Sequence, residues 1–329
     1  MSAAPSVIIR PLVAAVVALF AFVAIFVEAF HQPGLHGLKV GVVGSAATAV
    51  SIQRDLDNQQ PGALSVRDYP TEREARNDLV HADVHGVFIP GARNDRALVA
   101  QASGVPPTQL VTAAFQGLAA GHGSTLVVTD VAPLPAGDRL GFSEPWTVIG
   151  TLLPSLAFGA VLAFAGARLP GRVRWTAIAV YAVLAGFVVA LDVDVLIGAL
   201  TGTFFGVALI GGLLALAAAA LTHGLARAAG PLGLLTAVCV LIVLGLPSAG
   251  GAATSPLQPD FYSSISGLLP PGAALSALRN AVYFDWGNTA QPLLVLVAWA
   301  IAGFAIGLAG DRVAAVASQS PAVPPVRVA

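Results

Sequence analysis

Six long apolar stretches govern what this chain can fold into: Val7–Val27, Trp146–Ala167, Trp175–Leu191, Leu196–Leu221, Leu232–Leu246 and Pro292–Leu308. Five of them reach about 17 residues or more, the length a helix needs to cross a bilayer's hydrocarbon core. Leu232–Leu246 is shorter, and would thin the membrane locally or draw on its flanks. Lipid offers backbone amides no partner, so each stretch must satisfy its own and is expected to be a helix. The chain reads as a polytopic α-helical membrane protein with six transmembrane helices.

Composition agrees. The chain is 56% hydrophobic and 10% charged, against about 25% charged in an ordinary soluble domain. The formal net charge of −1 argues nothing about nucleic acid, and with no basic patch to hold phosphates no nucleic-acid partner is expected. Half of the 16 basic and most of the 17 acidic side chains fall in residues 31–145, so that segment must face water. It holds no cysteine, Cys239 being the single one, and must cohere by its own core. The first stretch, opened by Arg10, could be a signal peptide, and Val27-Glu28-Ala29 faintly resembles a cleavage site. It exceeds the about 7–15 apolar residues of a signal core, so an uncleaved anchor is expected.

Arginines set the direction. Arg10 precedes the first stretch; Arg168, Arg172 and Arg174 crowd the turn after the second; Arg227 and His223 mark the turn after the fourth; Arg312 follows the sixth. If each stretch crosses once, all of these fall on one side, the cytoplasm. Both termini are then cytoplasmic and residues 31–145 lie outside, as do 192–195 and 247–291. The expected division is a transmembrane helix in 1–30, an extracytoplasmic α/β domain in 31–145, a five-helix membrane domain in 146–312 and a disordered cytoplasmic tail in 313–329.

The water-facing segment alternates short apolar runs with helical patterns. Strands are expected at Leu38–Val43, Leu64–Tyr69, His85–Ile89, Leu98–Ala102 and Thr125–Val131. Helices are expected after Ser45 to about Gln60, from Thr71, and from Pro106-Pro107 to about Ala120. Thr71-Glu72-Arg73-Glu74 fits a capping box. This alternation predicts parallel pairing in a layered sandwich. Pro133, Pro135 and Gly137-Asp138 make a stiff, extended descent to the second helix. Gly198, Gly202 and Gly206, four apart, predict one small-residue helix face for close packing, as do Gly159, Gly166, Gly303 and Gly307.

No catalytic, cofactor-binding or metal-binding set emerges. Gly41-Val42-Val43-Gly44 lacks dinucleotide spacing and reads as a tight turn, and no phosphate-cradling Gly-rich loop ending in Lys occurs. His81, Asp83 and His85 are weighed as metal ligands, but a strand boundary separates them and a third ligand is missing, so solvated or capping histidines fit better. His31, His36 and His122 lie in glycine-rich turns as surface groups. Asp192 and Asp194 end the third helix. Ionisable groups at membrane depth are functional candidates, although a solvated helix end explains these two.

Segment 255–291 is the most unusual. Pro256, Pro259, Pro270, Pro271 and Gly272 break it, yet it stays apolar, and Phe261, Tyr262, Tyr283, Phe284 and Trp286 suit the headgroup level. Ala273–Val282 reads as a helix too short to cross, with Arg279 near its end. A re-entrant or interfacial hairpin fits, since such backbone is tolerated where protein or a cavity surrounds it. Gly267, Pro270, Pro271, Gly272, Arg279, Asp192 and Asp194 are therefore the candidate residues for a substrate path or gate.

Topology and two patches then resemble a known family. One helix, a large outer domain and five helices with a Pro/Gly-broken segment before the last resemble the type-two ABC exporter permeases, especially their phage-infection-protein-like bacterial relatives. Asp130-Val131-Ala132-Pro133-Leu134-Pro135 with Gly137-Asp138 resembles that group's approach to its second helix. Leu268-Leu269-Pro270-Pro271-Gly272-Ala273-Ala274-Leu275-Ser276-Ala277-Leu278-Arg279-Asn280 resembles its segment before the final helix. The resemblance implies a homo- or heterodimeric permease in the bacterial cell membrane, in contact with membrane lipid. It would move an amphipathic or lipid-like substrate outward, with ATP used only by a partner ATPase subunit. This chain departs from the family in its second-to-third helix turn, Arg168–Arg174, where Pro170 and Gly171 disfavour the cytoplasmic coupling helix that engages an ATPase. The alternative is a non-transporting envelope protein whose outer domain binds a ligand or protein partner.

Overall fold

A computed structural model describes residues 16, 20, 23–29, 35, 37–81, 83–135, 137–251 and 257–319, with side chains to 312. Most of the Val7–Val27 stretch, His31, His36 and the tail from 320 lie outside the described residues. Residues 23–29 are helical.

A five-stranded sheet forms the first lobe. In chain order its elements are β1 (Leu38–Val43), α1 (Ala46–Gln59), β2 (Leu64–Tyr69), α2 (Glu72–Val80), β3 (Val87–Ile89), β4 (Asn94–Val99), a 3-10 turn (Gln101–Ser103), α3 (Val105–Gly121) and β5 (Thr125–Asp130). The strand order is β2-β1-β3-β4-β5. Pairing is parallel except between β3 and β4. That pair is antiparallel because only residues 90–93 separate the strands, far too few for a parallel crossover. The fourth strand accordingly starts at Asn94 rather than Leu98, and Leu98–Ala102 runs out into the 3-10 turn.

Local chemistry explains the helices. Ser45 accepts the Thr48 N–H at 3.2 Å and Thr71 accepts the Glu74 N–H at 3.3 Å, capping α1 and α2. One core layer joins Ile52 and Leu56 of α1, Val111, Phe115 and Leu118 of α3, and Val40, Val42 and Phe88 of the sheet. The other face packs Leu79 of α2 with Tyr69, Val87, Leu98 and, from the far end of the chain, Phe284. The lobe's second core is thus completed by the helical half.

That half comprises α4 (Ser143–Phe164), α5 (Gly171–Ala190) widening into π turns at Leu191–Leu196, α6 (Phe204–Val238), π turns Cys239–Leu244, α7 (Gly245–Ser248), α8 (Asp260–Ser266), α9 (Pro270–Tyr283) and α10 (Ala290–Gln319). Asp138 accepts the N–H groups of Phe142 at 3.0 Å and Ser143 at 2.9 Å, tying the descent to the start of α4. Among the described residues four helical runs are long and apolar enough to cross a membrane: Ser143–Phe164, Gly171–Leu196, Phe204–Ser248 and Ala290–Arg312. The chain is a membrane protein on this ground.

The 45-residue run Phe204–Ser248 is not one rod. Ala229 and Gly230 leave helical geometry, Gly230 at φ 58° and ψ −134°, a region few residues besides glycine enter. A Cβ on Gly233 would lie 1.8 Å from the Leu225 carbonyl, although eight residues of straight helix span about 12 Å. The arms 204–228 and 231–248 are antiparallel. Arg227 bonds Asp311 at one end of α10, whereas Ala249 shares a cavity with His85 and Arg279 at the other end.

Arm 204–228 is the hub, packed by α4, α5 and α10. Close approach needs glycine: a Cβ on Gly159 would meet the Ala219 carbonyl at 2.5 Å, one on Gly186 the Ala208 carbonyl at 2.2 Å, and one on Gly303 the Leu221 amide at 2.4 Å. Gly307 likewise meets Trp175, and Gly166 only its own turn. The expected face through Gly198, Gly202 and Gly206 does not form. Gly198 and Gly202 have φ of 72° and 92°, in the loop before α6, and only Gly206 is helical.

Candidate functional site

The α8–α9 segment folds as a hairpin pressed into the bundle. Pro270 and Pro271 occupy the first turn of α9, where a missing N–H costs nothing. Both are buried, and Pro271 lies against Gly245. Gly272 closes the corner, since a Cβ there would sit 2.1 Å from the Ser266 carbonyl. The Trp299 indole donates to the Leu268 carbonyl at 2.8 Å, placing the corner about two turns below the start of α10. The Tyr262 hydroxyl donates to the Ile25 carbonyl at 3.1 Å, joining the hairpin to the first helical segment.

At its other end α9 meets the lobe. Asp285, Trp286 and Asn288 have φ of 45°, 66° and 53°, a strained link of the kind retained where the surroundings demand it. The Asn288 side chain donates to the His81 carbonyl at 2.9 Å. Arg279 then faces Glu144 of α4, Nε to Oε1 at 3.9 Å, with the Glu144 side chain 1% exposed. Among the described residues Arg279 Nε and Glu144 Oε2 have no hydrogen-bond partner, nor do Ser103 Oγ, His85 Nδ1 and the Tyr283 hydroxyl nearby. Burial, followed by the Glu144 and Asp138 carboxylates, pushes Tyr283 well above the usual phenol range, so it stays a neutral donor.

Between lobe and hairpin lies a cavity of about 260 Å³, lined by His85, Ser103, Gly267, Ser276, Arg279 and Asn280 among others. A second space, an apolar groove of about 430 Å³, runs between α4 and the end of α5, past Trp146, Thr151, Val189 and Asp192. The candidates from the sequence therefore separate. Gly267 and Arg279 share the cavity, while Pro270, Pro271 and Gly272 shape the hairpin. Asp192 is exposed at the groove, and Asp194 accepts the Gly202 N–H at 3.2 Å.

His81 caps α2, its Nδ1 2.7 Å from the Asn77 carbonyl. His85 is not a solvated group. It lies against the cavity, and burial, with Arg279 and Lys39 adding to it, pushes its pKa down to about 4. His122 is on the surface, 3.5 Å from Asp55. No group of three or more His, Cys, Asp or Glu among the described residues could hold a metal ion. Glu144 and Ser103 went unread in the sequence; the signal for Glu144 was a carboxylate two residues ahead of an apolar stretch.

The opposite end of the bundle carries a clasp. Asp311 of α10 accepts from Arg174 of α5 at 2.5 Å and Arg227 of α6 at 3.0 Å, and Arg174 also donates to the Ala167 carbonyl at 3.2 Å. The Arg174 side chain is only 4% exposed, while Arg168, Arg172 and Arg312 are exposed. Residues 165–170, linking α4 to α5, contain no helix.

No family model, no curated protein and no solved structure matches this chain.

Proposed function

We propose that the chain is the membrane subunit of an exporter similar to the type-two ABC permeases, moving an amphipathic or lipid-like molecule outward with ATP hydrolysed by a separate subunit. In this reading six helices cross the bacterial cell membrane, counting the two arms of Phe204–Ser248 and the N-terminal stretch. The α/β lobe lies outside and both termini inside. Two copies, or this chain and a relative, form the working unit. The supporting observation is the α8–α9 hairpin, a broken pair of short helices held at the depth of Trp299. Non-crossing backbone at membrane depth occurs where it lines a protein-enclosed cavity, as it does against Arg279. The apolar groove at Trp146 and Asp192 supplies a flank on which an acyl chain could lie.

The test is export from proteoliposomes containing this chain together with its co-purifying partners. The reading expects an ATPase among the partners and ATP-dependent movement of a fluorescent lipid analogue, abolished by Gly272→Val at the hairpin corner. Purification that never recovers an ATPase, with no movement under any energy source, contradicts it.

One observation favours a second reading. The 165–170 link offers no coupling helix, which suits a ligand- or partner-binding envelope protein anchored by its helices. In that case the hairpin corner is dispensable and the lobe alone restores the phenotype of a deletion.

A further inference from the structure

The cavity between lobe and hairpin combines three properties that ordinary packing does not require. Among the described residues its lining contains a guanidinium, Arg279, and no carboxylate. The ion-pair partner of Arg279 among the described residues is Glu144, which lies outside the lining with Oε1 3.9 Å from Nε, beyond hydrogen-bond reach. The Arg279 side chain makes no hydrogen bond to any described residue, its buried Nε included, although a guanidinium has five donors in a planar fork. Ser103 lines the same cavity; the residue is 5% exposed, and among the described residues its hydroxyl has no partner, an omission that native interiors rarely tolerate without a ligand or water.

The rest of the wall is donor-rich. Ser276, Asn280 and Gln291 contribute hydroxyl and amide groups. At about 260 Å³ the space is smaller than the roughly 300–1,000 Å³ of a pocket for a drug-sized ligand. It suits a compact group with many acceptor oxygens rather than a whole amphiphile. Arginine's fork is the side chain best matched to phosphate oxygens.

We propose that this joint is a binding site for a phosphate-class oxyanion, held between Arg279 on α9 and Ser103 at the edge of the lobe. The oxyanion is either free or the headgroup of an anionic phospholipid. Bound there, it would supply the acceptors that Arg279 and Ser103 lack and would tie the lobe to the hairpin. The site stands under either reading of function, because it requires no transport step.

The test uses the purified full-length protein with two probes. Inorganic phosphate is titrated calorimetrically into protein in neutral detergent, and phosphatidic acid is offered in phosphatidylcholine nanodiscs with native mass spectrometry as readout. Saturable binding of at least one probe is expected; phosphate alone marks a free anion, phosphatidic acid alone a lipid headgroup, and both mark headgroup chemistry open to either source. Arg279→Gln should weaken binding about tenfold or more, and Ser103→Ala about threefold to tenfold. Asn280→Asp, which puts a like charge in the wall, should weaken it by a similar margin. If Arg279→Gln does not fold, the other two variants decide. Failure of both probes to saturate folded protein overturns the proposal, as does unchanged affinity in both Ser103→Ala and Asn280→Asp.

Discussion

Two charged or titratable sites, half-buried His85 and the Arg174–Asp311 pair, report most directly on how this chain is held together. Burial, with Arg279 and Lys39 adding to it, pushes the His85 pKa down to about 4 from an ordinary 6.5. Between those values the unfolded chain binds more protons, so the stability His85 contributes is complete above about pH 6.5 and is lost as pH falls toward 4. The wild type should therefore lose about 2–3 kcal/mol more than His85→Asn between pH 7.5 and 4, read as a fall in the wild-type-minus-variant difference in thermal midpoint from pH 7.5 to pH 4. At the opposite end, Asp311→Asn would leave Arg174 buried without its counter-charge. Removing one partner of a buried pair costs about 3–5 kcal/mol; because Asp311 is partly exposed, a loss near the lower figure is expected in the thermal midpoint. Neither group was legible as such. A histidine four residues after another and an arginine in a basic turn look solvated in sequence, because their surroundings come from elements far away in the chain: α9 brings Arg279 to the cavity that His85 lines, and α10 brings Asp311 to Arg174.

Elements were far more legible where a local signal defined them. The alternating or apolar runs at Leu38–Val43 and Leu64–Tyr69 are β1 and β2 residue for residue, and the Thr71 cap fixes the start of α2. The antiparallel β4 was displaced because Asn94-Asp95-Arg96 is polar and its pairing is set by a short loop rather than by its own pattern. The glycine face at Gly198 and Gly202 was misplaced because spacing cannot distinguish a small-residue helix face from glycines needed for positive φ. Two substitutions test the helical elements. Gly230→Ala, at a backbone geometry reserved for glycine, should cost about 1–3 kcal/mol and loosen the hairpin of the two arms. Gly303→Val, whose Cβ would meet the Leu221 amide at 2.4 Å, should cost about 2–3 kcal/mol by forcing α10 off the hub. Thermal unfolding in detergent checks both, and a midpoint equal to wild type for either would contradict the packing described.

At the scale of the whole molecule, the apolar runs announced a membrane protein from sequence alone, and the α/β lobe announced itself by its charges. The joint between them did not, because it is assembled from residues around 85, 103, 144 and 279 that share no periodicity. The account rests on one arrangement: a helical bundle in the bilayer, the lobe on one side, and the Arg174–Arg227–Asp311 clasp on the other. Its most direct test is cysteine accessibility in a Cys239→Ser background, using a membrane-impermeant maleimide on right-side-out vesicles. Asn58→Cys in the lobe should label in sealed vesicles, whereas Arg168→Cys beside the clasp should label only after the vesicles are opened. Labelling of both positions in sealed vesicles, or of Arg168→Cys alone, would contradict the arrangement.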